Sequence, residues 1–270
     1  MRLLTPIVPD PAAALARANP VAKLAAASVL LVALFASLDG VTALVVLAGL
    51  VATLPRSGLR VGDLLGRAWL VGLAVISIVV FNVVFAADQT GPTVIDVGPL
   101  RIGAETLLDG LGLGARLLAI VLAGLLATAT TQPTDLADAL VQQVRVSPRF
   151  AVGALSALRL LPILSREWQI LAMARRARGV EAGRSPIAAV HLFAGQLLAM
   201  LVAAIRRGTR MALAMEARGF GALPCRTSAR EQRMLGSDWA WVAAAVFLAA
   251  SGVAVSIALG TWRPLWEGLA

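Results

Sequence analysis

The sequence predicts an all-α, polytopic membrane protein with about five transmembrane helices and one basic cytoplasmic segment. Hydrophobic residues make up 59% of the 270 residues and charged residues only 14%, whereas soluble domains carry about 25% charged residues. Long stretches without any charge alternate with charged connections. The positive charges, which bring the net charge to +9, concentrate in particular connections instead of being spread evenly.

Six uncharged stretches mark the candidate spans, because a perpendicular helix needs about 20 apolar residues, with a range of about 17–25. They cover residues 24–38, 40–55, 68–87, 117–134, 185–205 and 239–262. Only Asp39 separates the first two, which predicts two helices joined by a tight turn at Asp39–Gly40. Lys23 and Arg116 lie at the starts of spans, and we expect their long side chains to reach the membrane surface.

The distribution of arginines sets the predicted orientation by the positive-inside rule. The N-terminal segment and the connection after the second span each carry three basic residues, whereas the connection over 88–110 holds four acidic residues against Arg101. The stretch 131–235 holds 15 of the 24 basic residues. We therefore expect the N-terminus and 131–235 to be cytoplasmic and the C-terminus to be outside.

The predicted organisation has four parts: a cytoplasmic N-terminal segment (1–20), transmembrane helices one to four (21–132), a cytoplasmic domain (133–235), and the last transmembrane helix with the C-terminus (236–270). The stretch 185–205 is apolar enough to be a sixth span. A crossing there would place the arginines from Arg206 onward outside, against the charge pattern of the other connections. We interpret it as the apolar start of a long cytoplasmic helix, with a sixth span as the alternative.

The cytoplasmic segment is predicted to hold one short helix and two long ones. Pro133-Thr134-Asp135 starts the short helix, with the threonine as N-cap and the aspartate placing negative charge at the positive end of the dipole. The long helices cover about 149–178 and 188–218. Pro162 should bend the first of them, because its ring removes one backbone hydrogen bond.

Both long helices are predicted to end in the triplet Ala-Arg-Gly, at Ala177-Arg178-Gly179 and at Ala217-Arg218-Gly219. Aligning 166–179 with 206–219 places the two triplets in register and gives six identities, which we call the internal repeat. Each triplet alone is an ordinary helix end, because glycine favours the left-handed cap and arginine complements the dipole. The pair suggests two equivalent cationic ends for an acidic partner with two-fold or pseudo-two-fold symmetry.

Several function classes lack their motifs. The chain has no G-x-x-x-x-G-K-[ST] phosphate loop, no G-x-S-x-G nucleophile turn and no H-E-x-x-H helix. Cys225 and His191 are the single residues of their types, so we expect no metal site and no cofactor. No nucleic-acid recognition motif accompanies the positive charge. We therefore predict a membrane protein that is not an enzyme and has no nucleic-acid partner.

An ordered set of motifs covering most of the chain resembles the transmembrane T component of energy-coupling factor (ECF) transporters, the EcfT/CbiQ/BioN-like family. The motifs are Asn19-Pro20-Val21-Ala22-Lys23-Leu24, Pro133-Thr134-Asp135-Leu136-Ala137-Asp138-Ala139-Leu140, Leu158-Arg159-Leu160-Leu161-Pro162-Ile163-Leu164 with Glu167, Ala174-Arg175-Arg176-Ala177-Arg178-Gly179 and Ala214-Met215-Glu216-Ala217-Arg218-Gly219.

The resemblance implies that two cytoplasmic coupling helices cross in an X and dock their Ala-Arg-Gly ends into two ATP-binding cassette ATPase subunits. The implied docking residues are Ala177, Arg178, Gly179, Ala217, Arg218 and Gly219. The matching motif residues, which would support the coupling domain, are Pro133, Thr134, Asp135, Arg159, Pro162 and Glu167. A small membrane S component would bind the substrate within the lipid bilayer.

The implied function is the coupling subunit of an ATP-driven importer in the bacterial cell membrane, for a vitamin, a vitamin precursor or a metal ion. ATP hydrolysis would belong to the partner subunits. The main alternative is the permease of an ordinary ABC transporter, which would need polar, substrate-facing residues in its spans. A membrane enzyme and a scaffold without transport function are further alternatives.

Overall fold

The computed structural model describes residues 13–59, 61–86, 92–97, 100–181, 183, 185–221 and 230–264. The chain divides into two compact units. The first, here called the bundle unit, contains residues 1–139 and 232–270, and the second, called the helix-pair unit, contains residues 140–231. The predicted N-terminal segment lies largely outside the described residues, as does Cys225.

Helices account for most of the described chain. Their bounds are α1 Ala14–Arg17, α2 Pro20–Ala36, α3 Gly40–Ser57, α4 Val61–Val84, α5 Ala104–Ala129, α6 Pro133–Gln143, α7 Pro148–Ala177, α8 Pro186–Ala217 and α9 Gly236–Ala258. Two strands, β1 Thr93–Val97 and β2 Leu100–Gly103, lie between α4 and α5. The predicted all-α, polytopic membrane fold is confirmed, with one hairpin added to it.

The bundle unit is built around α5 and α9. Helices α2, α3 and α4 pack on α5, and α2 and α3 also pack on α9. Alanines supply much of the buried surface where the helices meet, among them Ala43, Ala115, Ala119 and Ala249. Such small side chains let membrane helices approach closely, which matters because lipid tails provide no hydrophobic force between helices.

The glycines of α5 allow close helix contacts in the bundle unit. A Cβ on Gly112 would lie 2.7 Å from the Cα of Gly40 in α3, so the two backbones touch. Gly110 and Gly114 face α4, where a Cβ would lie 2.5 Å and 2.8 Å from valine methyl groups. The sequence prediction missed this G-x-x-x-G pattern, which is a known signal of close packing between membrane helices.

Five helices in the described residues are long and apolar enough to cross a membrane: α3, α5, α7, α8 and α9. This matches the predicted number, but the members differ from the predicted set. Helix α2 and the 71–84 stretch of α4 are apolar but shorter. Both long helices of the helix-pair unit qualify by length and composition, so these criteria alone do not separate them from spans.

The connection before α5 differs from the sequence prediction. Strands β1 and β2 pair antiparallel, with Asp96 opposite Arg101 and Val97 opposite Leu100. Helix α5 begins at Ala104, more than three turns ahead of the predicted span, so Glu105 and Asp109 are helical. An uncharged stretch marks the start of this helix too late, because the first turns of α5 contain Glu105, Asp109 and Arg116.

The helix-pair unit contains α7 and α8, which agree with the predicted helices to within two residues. Each begins with a serine followed by a proline at the first helical position, Ser147-Pro148 and Ser185-Pro186. Proline suits this position because the missing N–H would have no partner in the helix and the ring fixes a helical φ. Helix α7 runs without interruption through Pro162, whose predicted bend stays a prediction.

Candidate functional site: the two Ala-Arg-Gly helix ends

The ends of α7 and α8 have the same local structure. Arg178 and Arg218 are the C-caps, and the glycine after each has a positive φ, +73° at Gly179 and +76° at Gly219. The glycine N–H donates to the carbonyl three residues back at 2.9 Å in both. The next N–H, from Val180 or Phe220, donates five residues back at 3.0 Å. This is the Schellman motif, and glycine is favoured because a Cβ disfavours positive φ.

The docking residues predicted from the resemblance are all exposed in this arrangement. Ala177, Arg178 and Gly179 are exposed, and so are Ala217, Arg218 and Gly219. The short alanine leaves room beside each guanidinium, and the glycine turns the chain away from the helix axis. Each helix therefore presents one arginine at a tip that a partner surface can approach. We call 174–179 the α7 tip and 214–219 the α8 tip.

The two helices contact each other at equivalent positions of the internal repeat. The carboxylate of Glu167 in α7 forms an ion pair with the guanidinium of Arg207 in α8, and both side chains are about a third exposed. A two-fold axis brings a residue into contact with its own equivalent only on the axis itself. The Glu167–Arg207 pair thus marks a pseudo-two-fold axis at the crossing, and Glu167 gains a defined partner.

Contacts on either side of this pair show that α7 and α8 run antiparallel. The Arg175 guanidinium donates to the Leu192 carbonyl at 2.8 Å, and the Gln196 amide donates to the Trp168 carbonyl at 2.7 Å. Arg149, near the start of α7, approaches Gly221, just after α8. The late part of each helix therefore lies beside the early part of the other, and the two tips point in opposite directions.

The remaining predicted support residues lie on α6 and α7. Arg159 and Pro162 are exposed on α7. Pro133 is the first residue of α6, and the Leu136 N–H donates to the Gln132 carbonyl at 3.0 Å. Thr134 is therefore inside the first turn and is not the N-cap, a correction that follows from the preference of proline for the first helical position. Asp135 lies in the first turn, as predicted.

Asp135 belongs to a buried polar cluster that sequence reasoning did not find. The ammonium of Lys23 in α2 donates to the Thr130 carbonyl at the end of α5 at 2.8 Å, and Lys23 is only 4% exposed. Asp135 and Asp238 interact electrostatically with Lys23. The Lys23 ammonium is therefore held by carbonyls inside the bundle unit, and its predicted position at the membrane surface stays a prediction.

Asp238 connects this cluster to the first residues of α2. Its carboxylate accepts from the Asn19 N–H at 2.9 Å and from the Leu235 N–H at 2.8 Å. The side chain of Asn19 in turn accepts from the Val21 N–H at 2.9 Å and caps α2. The motif that starts at Asn19 thus joins the starts of α2 and α9 to the end of α5. We call Asn19, Lys23, Thr130, Asp135 and Asp238 the Lys23 cluster.

A second polar cluster surrounds the turn between α2 and α3. Arg116 lies in the interior of α5 and donates to the carbonyls of Ser37 and Asp39, the latter at 3.2 Å. The Asp39 carboxylate caps α3 by accepting from the Thr42 N–H at 2.6 Å. The Arg116 guanidinium therefore donates to this turn, while its buried Nε has no hydrogen-bond partner among the described residues. Its predicted reach to the membrane surface stays a prediction. The predicted tight turn at Asp39–Gly40 is confirmed.

The helix-pair unit has a large apolar surface of its own. Helix α8 exposes aliphatic and aromatic side chains along most of its length, and α7 exposes several more: Ile187, Val190, Phe193, Leu197, Leu198, Leu201, Val202, Ile205 and Leu213 on α8, and Leu158, Leu161, Ile163, Ile170 and Met173 on α7. Contiguous apolar surface of this kind marks a contact with protein or lipid. The helix-pair unit therefore has surface for a further partner besides its two charged tips.

Comparison with known proteins places these features in a family. The family described as "CbiQ: Cobalt transport protein" matches residues 12–228. The energy-coupling factor transporter transmembrane protein EcfT of Heliobacterium modesticaldum is 32% identical over 198 residues, covering 70% of this chain and 71% of that protein. EcfT of Bacillus subtilis is 27% identical over 168 residues, covering 59% and 63%. EcfT of Staphylococcus aureus is 33% identical over 140 residues, covering 49% and 52%.

The family match covers the helix-pair unit except for its last three residues, and it includes both Ala-Arg-Gly tips. It also covers every member of the Lys23 cluster except Asp238. The apolar helices of the bundle unit agree with a multi-pass protein of the cell membrane. The chain therefore belongs to the CbiQ family and is a transmembrane component of an energy-coupling factor transporter.

Proposed function

We propose that this chain is the coupling subunit of an ATP-driven importer and that its α7 and α8 tips dock into two ATPase subunits. One observation carries the proposal: the tips have the same Schellman structure and are related by the pseudo-two-fold axis through Glu167 and Arg207. A paired motor with two similar subunits needs two similar contacts. Arg178 and Arg218 would insert into acidic grooves, since a guanidinium offers a planar fork of donors to carboxylates.

The helix-pair unit lies on the cytoplasmic side in this proposal. The apolar stretch 188–205 of α8 packs against the part of α7 that holds Trp168 and Arg175. If that stretch crossed the membrane, it would carry Arg175, Arg176 and Arg178 into the hydrocarbon. Each arginine near the bilayer centre costs about 2.5–3.5 kcal/mol on insertion scales. A cytoplasmic position leaves all of these charges in water and agrees with the positive-inside rule.

Helix α6 would transmit the movement of the ATPases to the spans. It starts in the bundle unit, where Asp135 belongs to the Lys23 cluster, and it ends in the helix-pair unit. Because that cluster joins α2, α5, α6 and α9, a displacement of α6 would act on three membrane helices together. The S component would follow this displacement, held at the exposed apolar surface of the helix-pair unit.

The substrate in this proposal is chosen by the S component. A vitamin, a vitamin precursor and a metal ion are the classes to test, and the family description names cobalt. The Lys23 ammonium and one terminal nitrogen of the Arg116 guanidinium donate to carbonyls inside the bundle unit, which supports a structural role for both clusters. Identifying the small membrane protein that copurifies with the chain would name the substrate class.

Charge reversal at both tips tests the docking. The double variant Arg178→Glu/Arg218→Glu should lose the ATPase subunits, because removing one member of a buried charge pair at an interface costs about 2–5 kcal/mol. The measurement is copurification of ATPases with the tagged chain in detergent, followed by uptake in cells. Each single variant should weaken capture without abolishing it.

The matched control is Arg166→Glu/Arg206→Glu, which makes the same charge change at two exposed, equivalent positions outside the tips. This control should capture the ATPases normally. If the tip variant also captured them and supported uptake at the normal rate, docking through Arg178 and Arg218 would be wrong.

A further inference from the structure

An open groove of about 900 Å³ lies on the bundle unit between α3, α4 and α5. Helices α3 and α4 both pack on α5, whose small residues Gly112 and Ala115 line the groove between them. Its walls are aliphatic and include Leu44 of α3 and Ile76 and Val80 of α4, each of which is more than half exposed. We call it the α5 groove. Contiguous apolar surface of this kind marks a contact with lipid or protein.

The length of the α5 groove matches half the thickness of a membrane. On α5 its lining extends from Glu105 to Leu118, and the part from Leu108 to Leu118 is about 15 Å long at about 1.5 Å per residue. The hydrocarbon core of a bilayer is about 30 Å thick, so one leaflet supplies about 15 Å of it. An acyl chain of one leaflet can therefore lie along the whole apolar part of the groove.

The charged side chains of the lining lie together at one end of the α5 groove. Glu105 and Asp109, one turn apart on α5, are exposed, as is Arg263 after α9. The Arg263 guanidinium is 3.6 Å from the Asp109 carboxylate. Asp39 also belongs to the lining, but it is buried and caps α3. Among the described residues, a ligand at this end thus meets two carboxylates and one guanidinium.

Backbone contacts hold Arg263 at the charged end. Gly260, with φ +66°, reverses the chain after α9. The Leu38 N–H donates to the Arg263 carbonyl at 2.8 Å, and Pro264 pairs with Ser37. The segment after α9 is thereby joined to the turn between α2 and α3. In the orientation expected from the positive-inside rule, this end of the bundle unit lies at the outer face of the membrane, at the level of the lipid headgroups.

We propose that the α5 groove binds a phospholipid whose headgroup carries a primary ammonium, as in phosphatidylethanolamine. One acyl chain lies along α5, the phosphate accepts from the Arg263 guanidinium, and the ammonium donates to Glu105 and Asp109. A purely anionic headgroup would bring negative charge to two carboxylates, where like charges repel. A choline headgroup has no N–H to donate. This site is independent of the proposed docking of the two tips.

Native mass spectrometry of the full-length chain in detergent tests this proposal. The chain is incubated with phosphatidylethanolamine, phosphatidylcholine or phosphatidylglycerol of identical acyl chains, and the fraction that retains one lipid is measured. We expect phosphatidylethanolamine to be retained about tenfold better than the other two, because only its headgroup forms charge-assisted hydrogen bonds with the carboxylates. It should also raise the midpoint of thermal unfolding most, since a ligand of the folded state stabilises that state.

A groove-filling variant tests where the acyl chain lies. Ile76→Trp adds bulk to the wall of the α5 groove and should remove most of the retained phosphatidylethanolamine. The matched control is Ile78→Trp, which adds the same ring at an exposed position of α4 outside the lining and should retain the lipid normally.

A second variant tests the headgroup. Glu105→Gln/Asp109→Asn removes both carboxylate charges and should abolish the preference for phosphatidylethanolamine over phosphatidylcholine. The control Glu181→Gln/Glu231→Gln makes the same change in net charge at two exposed positions of the helix-pair unit and should keep the preference.

Three results would overturn the lipid site. The first is equal retention of the three lipids by the unaltered chain. The second is normal retention in Ile76→Trp; if this variant does not fold, an unchanged preference in Glu105→Gln/Asp109→Asn decides against the site instead. The third is loss of a copurified membrane protein from Ile76→Trp with lipid retention unchanged, which would assign the α5 groove to that protein.

Discussion

Lys23 is the buried charge at which α2, the end of α5, α6 and the start of α9 come together. Its ammonium also donates to the Ala16 carbonyl at 3.3 Å, so two backbone carbonyls depend on it. A carbonyl at the C-terminal end of a helix carries partial negative charge, which a cation stabilises. The residue thus combines a hydrogen-bonding role with a charge at the end of a helix dipole.

Replacing Lys23 by methionine should destabilise the bundle unit. Methionine keeps much of the length of the side chain but leaves the Thr130 carbonyl without its donor, at a cost of about 1–3 kcal/mol. The midpoint of thermal unfolding in detergent should fall by several degrees. Arg17→Met is the matched control, because Arg17 is exposed and close by in the sequence. Equal midpoints for the two variants would show that the Lys23 cluster does not stabilise the fold.

The local structure around a single residue was predictable where its hydrogen-bond partner is near in the sequence. The caps at Gly179 and Gly219 depend only on the preceding turn, and both are confirmed by positive φ. The hydrogen bonds of Lys23 and Arg116 were not predictable in this way, because their acceptors, at Thr130 and at Ser37 and Asp39, are far away in the sequence. Nothing local distinguishes a lysine that reaches the membrane surface from one that caps a distant helix.

At the scale of elements, the bundle unit depends on backbone contact between α3 and α5. Gly112→Ala should be strongly destabilising, since its Cβ would lie 2.7 Å from the Cα of Gly40 and neither backbone can move aside cheaply. Gly124→Ala, on the same helix with no atom within 4 Å of the added Cβ, should be neutral or slightly stabilising. The measurement is the yield of monodisperse protein and its unfolding midpoint. Similar values for both variants would contradict close α3–α5 packing.

Helix positions were largely predictable from uncharged stretches, whereas the starts of α4 and α5 were not. The hairpin Thr93–Gly103 was not predicted, although Thr93, Val94, Ile95 and Val97 are β-branched residues that favour strands. Helix α4 and the predicted span 68–87 agree at the C-terminal end but not at the start. The contacts between α7 and α8 are known only from the structure. The internal repeat predicts that the two helices are equivalent, but it does not predict which of their residues touch.

At the scale of the whole molecule, the helix pair sets the distance between the two tips. Each helix continues for about three turns beyond the crossing, from Glu167 to Arg178 in α7 and from Arg207 to Arg218 in α8. At about 1.5 Å per residue each tip is about 16 Å from the crossing along its helix axis, so the tips are at most about 35 Å apart. Spin labels attached at Ala177→Cys and Ala217→Cys, in a chain that also carries Cys225→Ser, should report one narrow distribution of label-to-label distances. Its mean should lie within that limit once the length of the label linkers is added.

The Glu167–Arg207 pair should determine how narrow this distance distribution is. Arg207→Glu places two carboxylates at the crossing, where like charges repel, so the distribution should broaden or shift. The exchanged variant Glu167→Arg/Arg207→Glu restores an ion pair and should restore the narrow distribution. If Arg207→Glu left the distribution unchanged, the crossing would be held by packing alone, such as that of Trp168 with Phe193. Because the measurement needs no ATPase, it tests the coupling geometry independently of the proposed partners.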